Sequence, residues 1–225
     1  MIDSALLQPG RYIESEDADV AAFAPRSIDG AADAAERARR LYYAVRDGIA
    51  YDPYCDLSRD ESYSARGTLT LGRGNCIGKA ALMCAVARAV GIPSRFGLAD
   101  VRNHLATPRF LALTGTSIFI HGYTEIFVEG RWVKVTPTFD LPLCRKFNVH
   151  PLDFDGRSDA LFHEFDTRNR RHMEYLAYRG VYADIPVKDV QVALQAAYPR
   201  LWEHNRSGGM HDFAAEIGED REESP

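Results

Sequence analysis

One stretch of the 225-residue sequence leaves the chain little conformational freedom: GRGNCIGKAALMCAVARAVGIPSR, residues 72–95. A glycine-containing turn runs into Asn75, a good N-cap because its side-chain oxygen can accept from the amides of the first turn. The spacing predicts a helix from Cys76, with Ala80, Met83, Ala87 and Val90 on one face and Cys84 beside it. Gly91 and Pro93 end it, as a glycine at C′ and a following proline do. The period then drops from 3.6 to two. SRFGLADV (94–101) and SIFIHGYTEIFVEGRWVKVTPT (117–138) alternate or run apolar, with β-branched and aromatic residues, and read as strands. Helices first and an antiparallel sheet after them make an α+β domain, with the helix that carries Cys76 packed on the sheet.

The flanks are less constrained. Residues 1–30 read as β-rich or irregular. Residues 31–49 read as a helix, because Ala35, Ala38, Leu41, Tyr42 and Val45 recur at helical spacing. Residues 53–75 read as a loop with a short helical turn near 64–71. Glu129-Gly130 reads as a two-residue hairpin loop. Beyond Phe139 the pattern is polar loops with short helices near 169–178 and 188–204. These divisions give one domain over 1–206, with a core at about 35–140 and an extension at about 141–206. Residues 207–225 are glycine-rich, then acidic, and read as a disordered tail.

Charge and cysteine usage narrow the function classes. A net charge of −5 with no basic run argues against a nucleic-acid partner. No apolar stretch approaches the length of a membrane span, and the N-terminus lacks a basic start with an apolar core, so the expectation is a cytoplasmic protein without a membrane partner. Cys55, Cys76, Cys84 and Cys144 form no C-x-x-C pair. That argues against zinc and against a dithiol redox centre, and free thiols fit a chain large enough to need no disulfide. Asp153 and Asp155 lack the spacing and terminal Glu of an EF-hand, so no metal is expected there.

Cys76 differs from the other three cysteines by position. A side chain in the first helical turn lies among unpaired amides at the positive end of the macrodipole. Both favour a thiolate, and the sequence expectation is a lowered pKa and a nucleophile near neutral pH. The same amides suit an oxyanion. The bland alternative is that cysteine is a common small core residue. That alternative is taken for Cys84, mid-helix, and for Cys55 and Cys144, in expected loops.

A thiol nucleophile needs a base. Of His104, His121, His150, His163, His172, His204 and His211, only His121 falls inside a strongly expected strand. His104 is a spare, His150, His163 and His172 read as solvated, and His204 and His211 fall at or in the tail. With Glu129-Gly130 as the loop, Phe127 faces Trp132, Tyr123 faces Thr136 and His121 faces Thr138. His121, Tyr123, Thr136 and Thr138 then share one side of the hairpin. A group at 136 or 138 is placed to orient the imidazole across the strands. Trp132 and Tyr123 read as core aromatics, Arg95 as an ion-pair partner, and Glu125 as a cross-strand partner of Lys134.

Two segments together resemble the transglutaminase-like superfamily. GRGNCIGKAALMCAVARAVGIPSR is similar to its cysteine-bearing helix, and HGYTEIFVEGRWVKVTPTFD to its histidine strand and the strand after it. LYYAVRDGIAYDP is similar to the helix and I-x-Y stretch that precede the site. PLDFDGRSD and RRHMEYLAYRG resemble those of a bacterial subgroup. The resemblance implies a papain-like, transglutaminase-like fold with Cys76 as nucleophile and His121 as general base and acid. The family's aspartate falls at Thr136, so the imidazolium would lose a charged partner, a deficit of roughly one to two powers of ten in rate. Asp140, four residues on, is an alternative third member placed past the strand end.

The expected chemistry is acyl transfer, or amide or peptide-bond hydrolysis, through a thioester on Cys76. It needs no cofactor. Partners would be a peptide, a glutamine-containing protein or another carbonyl substrate, with an amine as a possible acceptor. The competing expectation, supported by Thr136, is a catalytically impaired binding or scaffold protein.

Overall fold

A computed structural model gives the fold and describes residues 3–162, 165–208, 213, 215 and 216. Its elements in chain order are α1 (Ala18–Ser27), α2 (Ala34–Gly48), β1 (Ala50–Tyr51), α3 (Ala65–Leu71), β2 (Arg73–Gly74), α4 (Cys76–Ala89), β3 (Ser94–Asn103), α5 (Pro108–Thr114), β4 (Ile118–Val128), β5 (Arg131–Val135), α6 (Leu141–Phe147), β6 (Met173–Tyr182), α7 (Val187–Ala197) and α8 (Pro199–Arg206). Helices lead and a four-stranded antiparallel sheet follows, in the order β5-β4-β3-β6, so the chain is α+β as the sequence implied. Among the described residues no helix is long and apolar enough to cross a membrane.

Helix α4 is the axis of the molecule. Its residues from Ile77 to Arg88 are all buried, so it has no solvent face. Helices α1, α2 and α3 pack around it on one side and β3 and β4 on the other. The sequence suggested a single apolar stripe. The small residues Gly78, Ala81, Ala85 and Ala89 off that stripe let neighbours close in from every direction instead. Two cations are enclosed with it and are satisfied by carbonyls, as buried charge requires. Arg88 donates to the carbonyls of Gln8, Ser94 and Ala183, tying the N-terminal segment, the start of β3 and the end of β6 together. Lys79 Nζ donates to the carbonyls of Arg46 and Ile49 at 2.9 and 2.5 Å, at the C-terminal end of α2.

The β4–β5 hairpin has the expected register, with Val128 opposite Arg131 and Phe127 opposite Trp132. Glu129 (φ 50°) and Gly130 (φ 84°) both lie in the left-handed region, the geometry of a two-residue primed turn. Pairing stops at Thr124 and Val135. Beyond it β5 diverges, and the Thr136 amide donates to Ala160 O. Thr138 therefore does not pair with His121. The β5-facing edge of β4 is left open from 118 to 122.

Three sequence expectations are corrected. Residues 18–27 form α1 rather than a β-rich opening; Asp17 caps it through the amides of Asp19 and Val20. Residues 173–182, read as part of a helix near 169–178, are β6, the edge strand beside β3. Pairing with a sheet over 70 residues away overrode the local pattern. His172, read as solvated, is buried, its ring against those of Phe139 and Phe162. His163, His211 and most of the 207–225 tail lie outside the described residues. Phe213 and Glu216, however, are buried, and Glu216 accepts from the Tyr54 hydroxyl at 3.0 Å.

Candidate active site

The open edge of β4 is filled by side chains where a strand would otherwise pair. Tyr198 Oη donates to Ile118 O (3.1 Å) and accepts from the Ile120 amide (2.8 Å). Cys76 Sγ takes the next pair: the Gly122 amide donates to it at 3.5 Å, and its own S–H points to Ile120 O at 4.0 Å. The thiol thus stands between the first turn of α4 and the strand that bears His121. The approach depends on Gly122, where an added Cβ would lie 2.8 Å from Ile77 Cα.

Asn75 fixes the helix start. Its Oδ1 accepts from the amides of Ile77 and Gly78, both at 2.9 Å, and its Nδ2 donates to Cys55 Sγ at 3.2 Å. The Lys79 amide bonds to Asn75 O. The Cys76 amide is not engaged by the Asn75 side chain.

Cys76 is half-buried and His121 is 3% exposed, and both line one cavity with Thr138, Phe139, Phe162 and Phe213. No hydrogen bond joins the thiol to the imidazole. His121 Nε2 is buried with no hydrogen-bond partner among the described residues. Its ring is held by aromatic contacts instead, with Phe162 at 5.2 Å and Tyr175 edge-on at 5.9 Å.

Electrostatics depart from the sequence expectation. Burial pushes the Cys76 thiol up to about 11, against the lowering effect of the amides of Gly122, Ile77 and Cys76 itself. Burial pushes the His121 imidazole down to about 3. Burial thus favours the neutral thiol and the neutral imidazole at rest. The helix start is real, but the apolar cavity around it outweighs its field.

Thr136 makes no hydrogen bond to the imidazole. It is 1% exposed, and its Oγ1 lies 3.2 Å from Tyr175 Oη. The Tyr175 ring that this hydroxyl meets lies edge-on to His121. Asp140 lies past the strand end, as expected, and is committed elsewhere: its carboxylate accepts from the amides of Leu143 (2.9 Å) and Tyr51 (2.9 Å), capping α6. The spare His104 sits 3.4 Å from Glu174, outside the cavity. Arg95 pairs with Glu125 at 2.5 Å over the Trp132 ring, and Lys134 is 4.0 Å from the same carboxylate. Sequence reasoning missed Tyr175, Phe162, Tyr198 and Phe213. The first was masked by reading β6 as helix. Tyr198 falls in the expected helix 188–204, where nothing marked it as reaching the site, and Phe162 and Phe213 lie in segments read as loop and tail. Among the described residues no His, Cys, Asp and Glu cluster could hold a metal.

None of the curated proteins matches the chain. Among solved structures, a candidate cysteine protease from Cytophaga hutchinsonii is 18% identical, with 79% of this chain and 53% of that one covered and a TM-score of 0.47. A TGase is 15% identical, covering 57% and 32%, with a TM-score of 0.40. A candidate protease from Parabacteroides distasonis is 18% identical, covering 59% and 26%, with a TM-score of 0.41. The chain spans about half the length of the first and less of the other two. The family model of the transglutaminase-like superfamily matches residues 21–137, more than half of the sequence and the part that holds Cys76, His121 and Thr136. This chain belongs to the transglutaminase-like superfamily.

Proposed function

We propose that the protein is a thiol-dependent acyl-transfer enzyme that works through a thioester on Cys76, with His121 moving the proton. One observation carries the reading: Cys76 and His121, whose buried Nε2 has no hydrogen-bond partner among the described residues, line the same cavity at the start of α4. A buried ring nitrogen without a partner is costly to a fold, and a proton-transfer role gives it one during turnover.

From the neutral couple, the Sγ–H proton passes to Nε2 as the Sγ–C bond forms and the carbonyl π pair moves onto oxygen. The Cys76 amide, left over by the Asn75 cap, supports that oxygen. Collapse breaks the bond to the leaving amine or thiol, which takes the proton from the imidazolium. In the second half an amine or water gives its proton to Nε2 and attacks the thioester, and the thiol leaves with that proton. With an amine the product is a new amide; with water it is an acid. Tyr175 and Thr136 act as positioning residues for the ring. They supply no charge, so the imidazolium is less stabilised than it would be beside a carboxylate.

The substrate is a peptide, a glutamine-containing protein or another carbonyl compound. Iodoacetamide labelling at pH 8 tests the reading. Cys76 is alkylated faster than Cys55, Cys84 and Cys144, and His121→Ala slows it at least tenfold. Slow, equal labelling of all four thiols overturns it and favours a binding protein. That second reading rests on Thr136, whose hydroxyl is engaged by Tyr175 rather than by the imidazole.

A further inference from the structure

The cavity beside Cys76 has a chemistry of its own. Among the described residues no charged side chain lines it. Its walls are mostly apolar, with Leu57, Val101, Phe119, Met173 and Leu194 among them beside the amides Asn75 and Asn103, and its volume is about 80 Å³. An apolar cavity of about 150 Å³ holds benzene, so this one suits a smaller branched group. Two buried polar atoms on its surface lack hydrogen-bond partners among the described residues: His121 Nε2 and Thr138 Oγ1. Thr138 is 2% exposed and lines the same cavity as His121. His121 has the proton-transfer role argued above. Thr138 has no counterpart in that reaction, and a native fold rarely leaves a buried hydroxyl unpaired without use.

A glutamine side chain would leave this space unexplained. Its attacked carbonyl is flanked by two methylenes and an NH₂, and nothing branched remains to fill an apolar cavity. A backbone carbonyl is different. It carries an α-substituent on one side and an amide N–H one atom further on.

We propose that the site acylates on a peptidyl group ending in a small branched apolar residue, whose side chain fills the cavity and whose backbone N–H donates to Thr138 Oγ1. This rests on the Cys76 thioester reading and narrows its substrate class. Charged residues are rejected because the cavity offers no partner for a desolvated charge.

N-acetylcysteamine thioesters of N-acetylvaline, N-acetylglutamine and N-acetylaspartic acid test it on the full chain, with the Cys76 adduct followed by mass spectrometry. The valyl group transfers at least about tenfold faster than the glutaminyl and about a hundredfold faster than the aspartyl. In Thr138→Val the ratio of N-acetylvalyl to plain isovaleryl transfer falls about tenfold. Equal rates, a glutaminyl preference, or an unmoved ratio in Thr138→Val overturns the proposal. Saturation-transfer NMR on Cys76→Ser needs no chemistry. N-acetylvalinamide methyls take up magnetisation there and the aspartic acid analogue does not. Binding without any acyl-enzyme in the wild type supports the cavity's selectivity and sinks the catalytic reading. Acylation of Cys76 without side-chain preference does the reverse.

Discussion

Replacing Gly122 by alanine probes the contact that brings the thiol to the histidine strand. The new Cβ would lie 2.8 Å from Ile77 Cα and 3.1 Å from both Ile77 Cγ1 and Phe96 Cε2. Carbon atoms settle at about 3.5–4.0 Å, so α4 and β4 must part by roughly 0.7–1.2 Å. Neither yields easily. Helix α4 is buried from Ile77 to Arg88, and β4 is paired with β3 over nine positions. Overpacking of this kind costs about 1–3 kcal/mol, and contact with backbone puts the cost at the upper end, about 2–3 kcal/mol. The same displacement stretches the 3.5 Å bond from the Gly122 amide to Sγ past its limit. A 1 Å misplacement at a reacting centre costs about a hundredfold in rate. Urea denaturation and the rate of Cys76 acylation read the two effects. Gly48→Ala is the control: that glycine lies at the exposed end of α2 with nothing within 4 Å of an added Cβ, and the change stabilises by about 0.5–1 kcal/mol. A Gly122→Ala protein within about 0.5 kcal/mol of wild type, with an unchanged acylation rate, would refute the argument that this glycine sets the thiol's position.

Other outcomes follow from the buried titratable groups. Burial pushes Lys79 down to about 7 from an ordinary value of 10.5. The folded chain thus releases a proton that the unfolded chain keeps, so stability rises with pH above about 7, by at most about 1.4 kcal/mol per unit. Denaturation at pH 7–9 reads this slope, and Lys79→Met removes it. His121 works the same way lower down: at about 3 in the fold against 6.5 free, it costs stability as pH falls below about 6.5, and its ring resonances stay those of a neutral imidazole down to pH 4 by NMR. Tyr175→Phe keeps the ring beside His121 but leaves Thr136 Oγ1 buried without its partner, lowering stability by about 1–2 kcal/mol in urea. It also lowers the acylation rate several-fold and alters its pH profile, which a purely structural role would not.

The parts of the fold set by local signals were legible in the sequence. Asn75 and Gly91 bound α4 because caps are decided within a few residues, and Glu129-Gly130 set the hairpin register because a two-residue turn admits only one pairing. The same signals singled out Cys76 and His121. What lay out of reach was non-local. The strand β6 forms because it pairs with β3, and its Tyr175 then meets Thr136 across 39 residues. The raised thiol also needed three dimensions. The position of Cys76 at a helix start favours a thiolate, but the cavity that opposes it is assembled from segments as distant as Leu57 and Phe213.

The central claim is that one thiol, served by one imidazole, carries the acyl group. Mixing the protein with p-nitrophenyl acetate in a stopped-flow instrument measures it directly. The expected result is a burst of one nitrophenolate per chain, an acetyl group mapped to Cys76, and a burst rate at least a hundredfold lower in His121→Ala. Acetyl groups spread over the four cysteines, or a burst that survives His121→Ala unchanged, would contradict it.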